Sequence, residues 1–307
     1  MNKIAVIGLW HQGLVGAACF AKAGFQVLGY DPDKKIRSLL EKGKTPIFEP
    51  GLDQLIDEQK NNGRLVFVHD IKSAIKEAEF VCIMFDTPVN EDDLVDPSIV
   101  IKTFTRILPY IDSNAIIWVT AQIPVGTCQT FQKKLESSSK TKNVGLAYSP
   151  ENLRLGNAID LFEQPQLPVI ATNEKSTFHR LKEMLSFTYT NYNQIDLMSG
   201  EMVKHALNAF LATSVTFGNE IGNICDNVGA DAIEIAQVLR LEPRIGDKCM
   251  ILPGMGFSGG TLARDVQTLR SIGQDTGLDT PFLNGLWESN RTQNIRIIEK
   301  NYYLIKY

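Results

Sequence analysis

The sequence predicts an α/β protein in which a doubly wound parallel sheet is followed by a long central helix and a small all-helical domain. Three observations carry that expectation. The first thirty residues alternate strand, glycine turn, helix and strand. Short apolar runs then recur, with helical stretches between them, as far as about residue 196. Beyond them, Ser199 to Val228 is one unbroken helical pattern without proline. A chain of 307 residues with 44% apolar and 21% charged composition can bury two cores. The expected division is 1–198 and 199–307.

The elements follow in order. Residues 3 to 7 (KIAVI) are a strand, Gly8 breaks it, and Gly13 to Ala23 is a helix of small residues that Gly24 ends. A second strand, Gln26 to Tyr30, stops at Asp31, an acid 23 positions after the first glycine. This is the dinucleotide-binding, Rossmann-type unit. Gly8 makes the tight turn, the helix amino end at Gln12 and Gly13 faces a pyrophosphate, and Asp31 takes the ribose hydroxyls. Trp10 stands where the fingerprint has its second glycine, so its indole must turn away, stack beside the cofactor or block it. The expected cofactor is NAD rather than NADP, because Asp31 repels a 2′-phosphate and no arginine lies beside it in sequence. Lys35 is the nearest cation on the ribose or adenine side.

Further strand-length runs lie at Leu65 to Val68, Phe80 to Phe85, Ala115 to Thr120, Val144 to Tyr148 and Val169 to Ala171. Strand alternating with helix is the pattern of a parallel sheet covered on both faces. The Ser199 to Val228 run is then a rod of roughly 45 Å, with Ser199 as its cap, Glu201 in the first turn and Gly229 as its stop. After it come a shorter helix (Ala230 to Leu239), a glycine-rich loop (Leu252 to Gly260) and helices over Asp265 to Gly273 and Phe282 to Glu299. The long helix is apolar around most of its girth between Ala206 and Phe217, which predicts a homodimer packed through this second lobe. Lys204 and Asn208 share one face of it. Alone, they fit a surface lysine beside a surface amide as well as a functional pair.

Composition excludes several classes. A net charge of −4 offers no field for nucleic acid, and no run is long enough to span a membrane. Five scattered cysteines, without CxxC or Cys/His spacing, fit a reducing compartment and no structural metal. With a strand at the start instead of a signal peptide, the expected location is the cytoplasm.

The motifs resemble the UDP-glucose/GDP-mannose dehydrogenase family along essentially the whole chain. They are TPIFEPGL at 45–52, NGRLVF at 62–67, DTP at 86–88, IPVGT at 123–127, YSPENLRLG at 148–156, EMVKHALNAFLAT at 201–213, EPRIG at 242–246, GFSGGTLARDV at 256–266 and SNRTQ at 289–293. The resemblance implies oxidation of the primary alcohol of a nucleotide sugar by NAD, with dimerisation through the second lobe. It also implies a further nucleotide-binding α/β domain beyond these 307 residues.

Carried over one residue at a time, the resemblance places Glu151, Lys204, Asn208 and Asp265 around the reacting alcohol. It places Gly8, Trp10, Gln12, Gly13, Asp31, Lys35, Thr87, Gln122 and Arg264 on the cofactor side. Thr261 stands at the family's catalytic cysteine, Leu155 at a second acid, Gln122 at a threonine and Arg264 at a lysine. Lys204 is the expected base, Asp265 orders a water for it, and Asn208 donates to the oxygen. The Thr261 hydroxyl is far less acidic than a thiol, so the expected reaction stops after one hydride. Two other readings stand beside it: a non-catalytic relative that keeps the fold for nucleotide binding or assembly, and a full acid-forming dehydrogenase that recruits another nucleophile.

Overall fold

The computed structural model describes residues 3–87, 95–188 and 190–306, with side chains through residue 299. The chain divides into two compact units: residues up to Thr87 with Asp96–Val203 form the first, and Lys204 onward belongs to the second.

The first unit runs β1 (Lys3–Ile7), α1 (Gln12–Lys22), β2 (Gln26–Tyr30), α2 (Lys34–Glu41), α3 (Leu52–Asn61), β3 (Leu65–Phe67), α4 (Ile71–Ile75), β4 (Phe80–Ile83), α5 (Ser98–Ile107) and β5 (Ile116–Val119). It continues with α6 (Thr127–Glu136), β6 (Gly145–Tyr148), α7 (Ala158–Glu163), β7 (Val169–Ala171), α8 (Lys175–Met184), a 3₁₀ turn over Leu185–Thr188 and β8 (Asn193–Ile195). The strands form one sheet in the order β3-β2-β1-β4-β5-β6-β7-β8. Every pairing is parallel except β6 with β7, where Tyr148 opposes Ala171 in an antiparallel step. The expected parallel sheet is thus mostly parallel, with one antiparallel step before its last two strands. β8 was absent from the sequence reading because Asn193 and Gln194 are polar and exposed and form no apolar run.

Alternate strand residues feed two cores, as they must when helices cover both faces. Ile4 and Val6 join Phe20, Phe80 and Trp118 on one side. Ala5 and Ile7 join Phe104 and Phe131 on the other, whose rings stack at 3.9 Å.

The helix α9 (Leu197–Val228) carries the chain from the first unit into the second. Its cap is Asp196, which accepts from the Ser199 amide (2.9 Å) and hydroxyl (2.6 Å), so the expected cap at Ser199 moves back three residues. Asp and Ser cap comparably, and the carboxylate adds a negative charge that the helix start favours. Gly229 ends the helix at φ +77°. The second unit then holds α10 (Ala232–Arg240), α11 (Leu262–Asp275) and α12 (Pro281–Lys306). Its small core joins Ala209 and Ala212 of α9 to Phe257, Val266 and Leu286.

The loop over 251–257 lies directly on α9. A methyl group at Gly218 would sit 2.4 Å from the Ile251 carbonyl oxygen, so only glycine permits this approach. Asn219 fixes the loop by accepting from the Gly254 amide (2.7 Å). Three side chains of α12 complete the hold: Asn290 both accepts from and donates to Phe257, Asn294 accepts from Gly256, and Gln293 donates to the Gly254 carbonyl.

Candidate functional site

Strand order reverses between β1 and β4, and in such sheets ligands bind in the crevice at the carboxyl ends of those strands. Gly8 follows β1 at φ +95°, and a Cβ there would lie 2.7 Å from the Met84 carbonyl oxygen. A Cβ at Gly13 would lie 1.8 Å from the Gly8 carbonyl oxygen. Both fingerprint glycines are thus required by the close approach of turn, helix and neighbouring strand. Trp10 adopts no left-handed φ and is 43% exposed, so it strains nothing in the turn.

Carboxylates surround this turn. The Leu9 amide donates to Asp31 Oδ2 (2.7 Å), and the Asp33 amide donates to Asp31 Oδ1 (2.7 Å). Burial pushes the Asp31 pKa above the ordinary value, against the pull of these two amides. The His11 amide donates to Asp86 Oδ2 at 3.0 Å, and the Gln12 amide approaches the same oxygen at 3.4 Å. The His11 ring pairs with Glu49 through Nε2 (3.1 Å), and Glu49 also accepts from the amides of Gly156 and Ala158, both at 2.9 Å. Glu49 therefore ties the fingerprint turn to the YSPENLRLG loop.

The other predicted cofactor residues of the first unit lie around the turn. Gln12 is buried, donating Nε2 to the Phe85 carbonyl and accepting from the Thr120 hydroxyl, both at 2.7 Å. Its side-chain amide is committed to strand ends, while its backbone amide stays at the start of α1. Thr87 donates its hydroxyl to the Gln122 carbonyl (3.0 Å) and joins the DTP and IPVGT segments. Lys35 is exposed in the first turn of α2, which Asp33 caps. An arginine does lie beside Asp31, contrary to the sequence reading. The first turn of α2 folds back, so that Arg37 donates to the Asp31 carbonyl (2.5 Å) and covers the Tyr30 ring at 5.5 Å.

Glu151 accepts from the Leu153 amide and lines, with Gln12, Trp118 and Thr120, a cavity of about 80 Å³ within the first unit. Leu155, on the same loop, is exposed. Glu201, read from sequence as a first-turn acid, is fully buried and accepts from the amides of Gly126 (2.6 Å) and Cys128 (2.7 Å). It fixes the loop that follows Gln122.

In the second unit the polar centre is Asp265, fully buried near the start of α11. Its carboxylate meets His205 Nδ1 at 2.8 Å, accepts from Asn208 Nδ2 and pairs with Arg264 Nε at 3.4 Å. Burial opposes its ionisation, but the His205 bond, the charges of Arg264 and His205 and the Asn208 bond together hold its pKa below the ordinary value. Both oxygens of Asp265 are engaged by side chains, so it orients His205, Asn208 and Arg264. Lys204 is half-buried on α9, one residue before His205 and four before Asn208. Thr261 is the exposed N-cap residue of α11, and it lines a groove with Val215, Met250, Met255 and Phe257. His205, Glu49, Glu201 and Asp86 were missed as site residues, although each stood in or beside a quoted motif.

Fold and fingerprint together define a Rossmann-type domain followed by a helical one. The chain belongs to the UDP-glucose/GDP-mannose dehydrogenase family: residues 2–190 match its NAD binding domain and residues 198–292 its central domain. It is 34% identical over 302 residues to UDP-glucose 6-dehydrogenase TuaD of Bacillus subtilis, covering 98% of this chain and 65% of that protein. It is also 34% identical over 287 residues to UDP-glucose 6-dehydrogenase of Rhizobium meliloti, covering 91% of this chain and 64% of that protein. The chain thus spans just under two thirds of the length of these relatives. A UDP-glucose dehydrogenase structure from Pyrobaculum islandicum superposes with a TM-score of 0.84 at 25% identity, covering 95% of this chain and 68% of the other. The glycine-lined turn and Asp31 fit an adenine dinucleotide in kind. Among the described residues no helix is long and apolar enough to cross a membrane, and no cluster of His, Cys, Asp or Glu is arranged to hold a metal.

Proposed function

We propose that this chain is an NAD-dependent oxidoreductase acting on the CH–OH group of a nucleotide sugar, and that it transfers one hydride. The observation that supports this most is the buried Asp265 centre, which fixes Asn208 on the same face of α9 as Lys204. Lys204 takes the proton of the alcohol, and the second Nδ2 hydrogen of Asn208 donates to the oxygen as charge develops on it. NAD, when bound, accepts the hydride. Gly8 and Gly13 let its phosphates approach the turn, and Asp31 favours its ribose hydroxyls over a 2′-phosphate. Arg37, engaged with a carbonyl and a ring, leaves that preference for NAD in place. Thr261 replaces a thiol nucleophile by an alkyl hydroxyl, so the aldehyde is released and not carried on to the acid.

We further propose a homodimer through the second unit. Phe210, Phe217, Ile224 and Val228 form an exposed apolar stripe on α9, spaced seven, seven and four residues apart.

The test supplies UDP-glucose, GDP-mannose and related sugars with NAD and counts reduced cofactor per sugar consumed. One equivalent with aldehyde product is expected, and Thr261→Cys should raise the count towards two. Two equivalents from the unmodified protein, or no turnover with any sugar, would sink the reading. A second reading, a non-catalytic nucleotide-binding or assembly relative, draws support from the indole of Trp10 at the second fingerprint position; it predicts no turnover.

A further inference from the structure

The fingerprint turn has its anion already. The first amides of a helix lack intrahelical partners and carry partial positive charge, and in a strand–turn–helix unit they point into the crevice where a diphosphate sits. In α1 no side chain of the helix or its cap residue bonds these amides. They are met instead by Asp86, which reaches them from the end of β4, the strand across the switch point, and accepts from His11 and Gln12 through one oxygen.

Asp86 is held in place from both sides. Gln12 Nε2 anchors the Phe85 carbonyl, and the Thr87 hydroxyl anchors the Gln122 carbonyl. Asp86 is exposed as a residue, but its carboxylate is turned in onto the helix amides, where burial raises its pKa against the pull of the His11 and Gln12 amides. Two further carboxylates, Asp31 on the Leu9 amide and Glu49 on the His11 ring, stand on the same turn. An entering diphosphate therefore meets concentrated negative charge, and the Asp86 carboxylate occupies the amides it needs.

We propose that Asp86 is a built-in anion in the seat of the cofactor diphosphate, so that a dinucleotide binds only by turning Asp86 out, and the residue sets how tightly the chain holds NAD. This rests on the reading of the first unit as a cofactor site, and it assigns the limiting contact to a single side chain. Trp10 is secondary, since the Asp86 carboxylate already occupies the His11 and Gln12 amides.

The test is calorimetric titration of NAD into the full chain and into its Asp86→Ala and Asp86→Asn variants, with inorganic pyrophosphate and adenosine as separate probes. Asp86→Ala should bind NAD at least tenfold more tightly than the parent. Asp86→Asn should fall between them, because its carboxamide oxygen still accepts from the helix but repels no phosphate. Inorganic pyrophosphate should follow the same order, while adenosine, which has no phosphate, should bind all three alike. Asp86→Asn is isosteric and preserves the comparison if Asp86→Ala does not fold.

NAD binding that is unchanged, weaker or undetectable in variants with a native circular dichroism spectrum would overturn the proposal. So would a gain that adenosine shares equally, because the effect would then not lie at the phosphates. Failure of the oxidoreductase reading looks different: the variants would bind NAD more tightly and still reduce none of it with any sugar.

Discussion

Replacing Glu201 by alanine should cost the first unit about 4 kcal/mol. The side chain is fully buried, one oxygen accepting from the Gly126 amide at 2.6 Å and the other from the Cys128 amide at 2.7 Å. Those amides open α6, whose N-cap position is a glycine at φ +91° with no side chain to offer. Hydrogen bonds to a charged group contribute roughly 1.5–3 kcal/mol each, and the Cys128 amide left behind would be buried and unsatisfied, the Gly126 amide only partly buried. Two bonds give about 3–6 kcal/mol, and relaxation of the loop should bring the loss to the lower half of that range. Glu201→Gln keeps one acceptor and turns an NH₂ towards the other amide, for a loss of about 2–3 kcal/mol. Urea unfolding measures both, as a drop in midpoint at constant slope for the first unit's transition. A loss below about 1 kcal/mol for Glu201→Ala would mean that solvent replaces the carboxylate, and the clamp would be incidental.

Two further outcomes follow from the second unit. Asp265 titrates below its unfolded value of about 3.9, so its contribution is fully present above that pH and is lost as pH falls through the lower folded value. Acid unfolding of the parent should therefore show a stability slope below about pH 4 that Asp265→Asn lacks; equal slopes would contradict the buried pairing with His205 and Arg264. Phe217→Asp and Phe210→Asp place a charge on the apolar stripe of α9 and should convert a dimer to a monomer in sedimentation at micromolar concentration. A parent that already sediments as a monomer would remove the interface.

Periodicity and glycine placement made most of the fold legible. The strand–turn–helix opening, the alternation of strand and helix, and the stop of α9 at Gly229 all depend on local chemistry, which a sequence displays. The antiparallel β7 and the polar strand β8 depend on pairing partners, which it does not. The candidate site divides along the same line. Gly8 and Gly13 were marked by their spacing after a strand, whereas Lys204, Asn208 and Asp265 were marked only by the family resemblance. Asp86, Glu49, Glu201 and His205 escaped because a carboxylate or imidazole in a motif gives no sign of which distant amide or acid it will meet. Gln12 shows the same limit: its position suggested a ligand contact but gave no sign that its side chain would bond Phe85 and Thr120.

The segment Gly254–Phe257 contains few instructions for its own shape. Its backbone is dictated by Asn219 on one helix and by Asn290, Gln293 and Asn294 on another, all at least 33 positions away. Loop and helices are therefore a single hereditary unit written in three places. A graft of the loop alone into a relative would arrive without its mould, whereas a graft of SNRTQ with Asn219 and Asn294 would bring the mould and tolerate a changed loop. Recombination between relatives with a crossover anywhere between residues 219 and 290 would part the two, and the surviving hybrids should be those whose amide side chains match across the join.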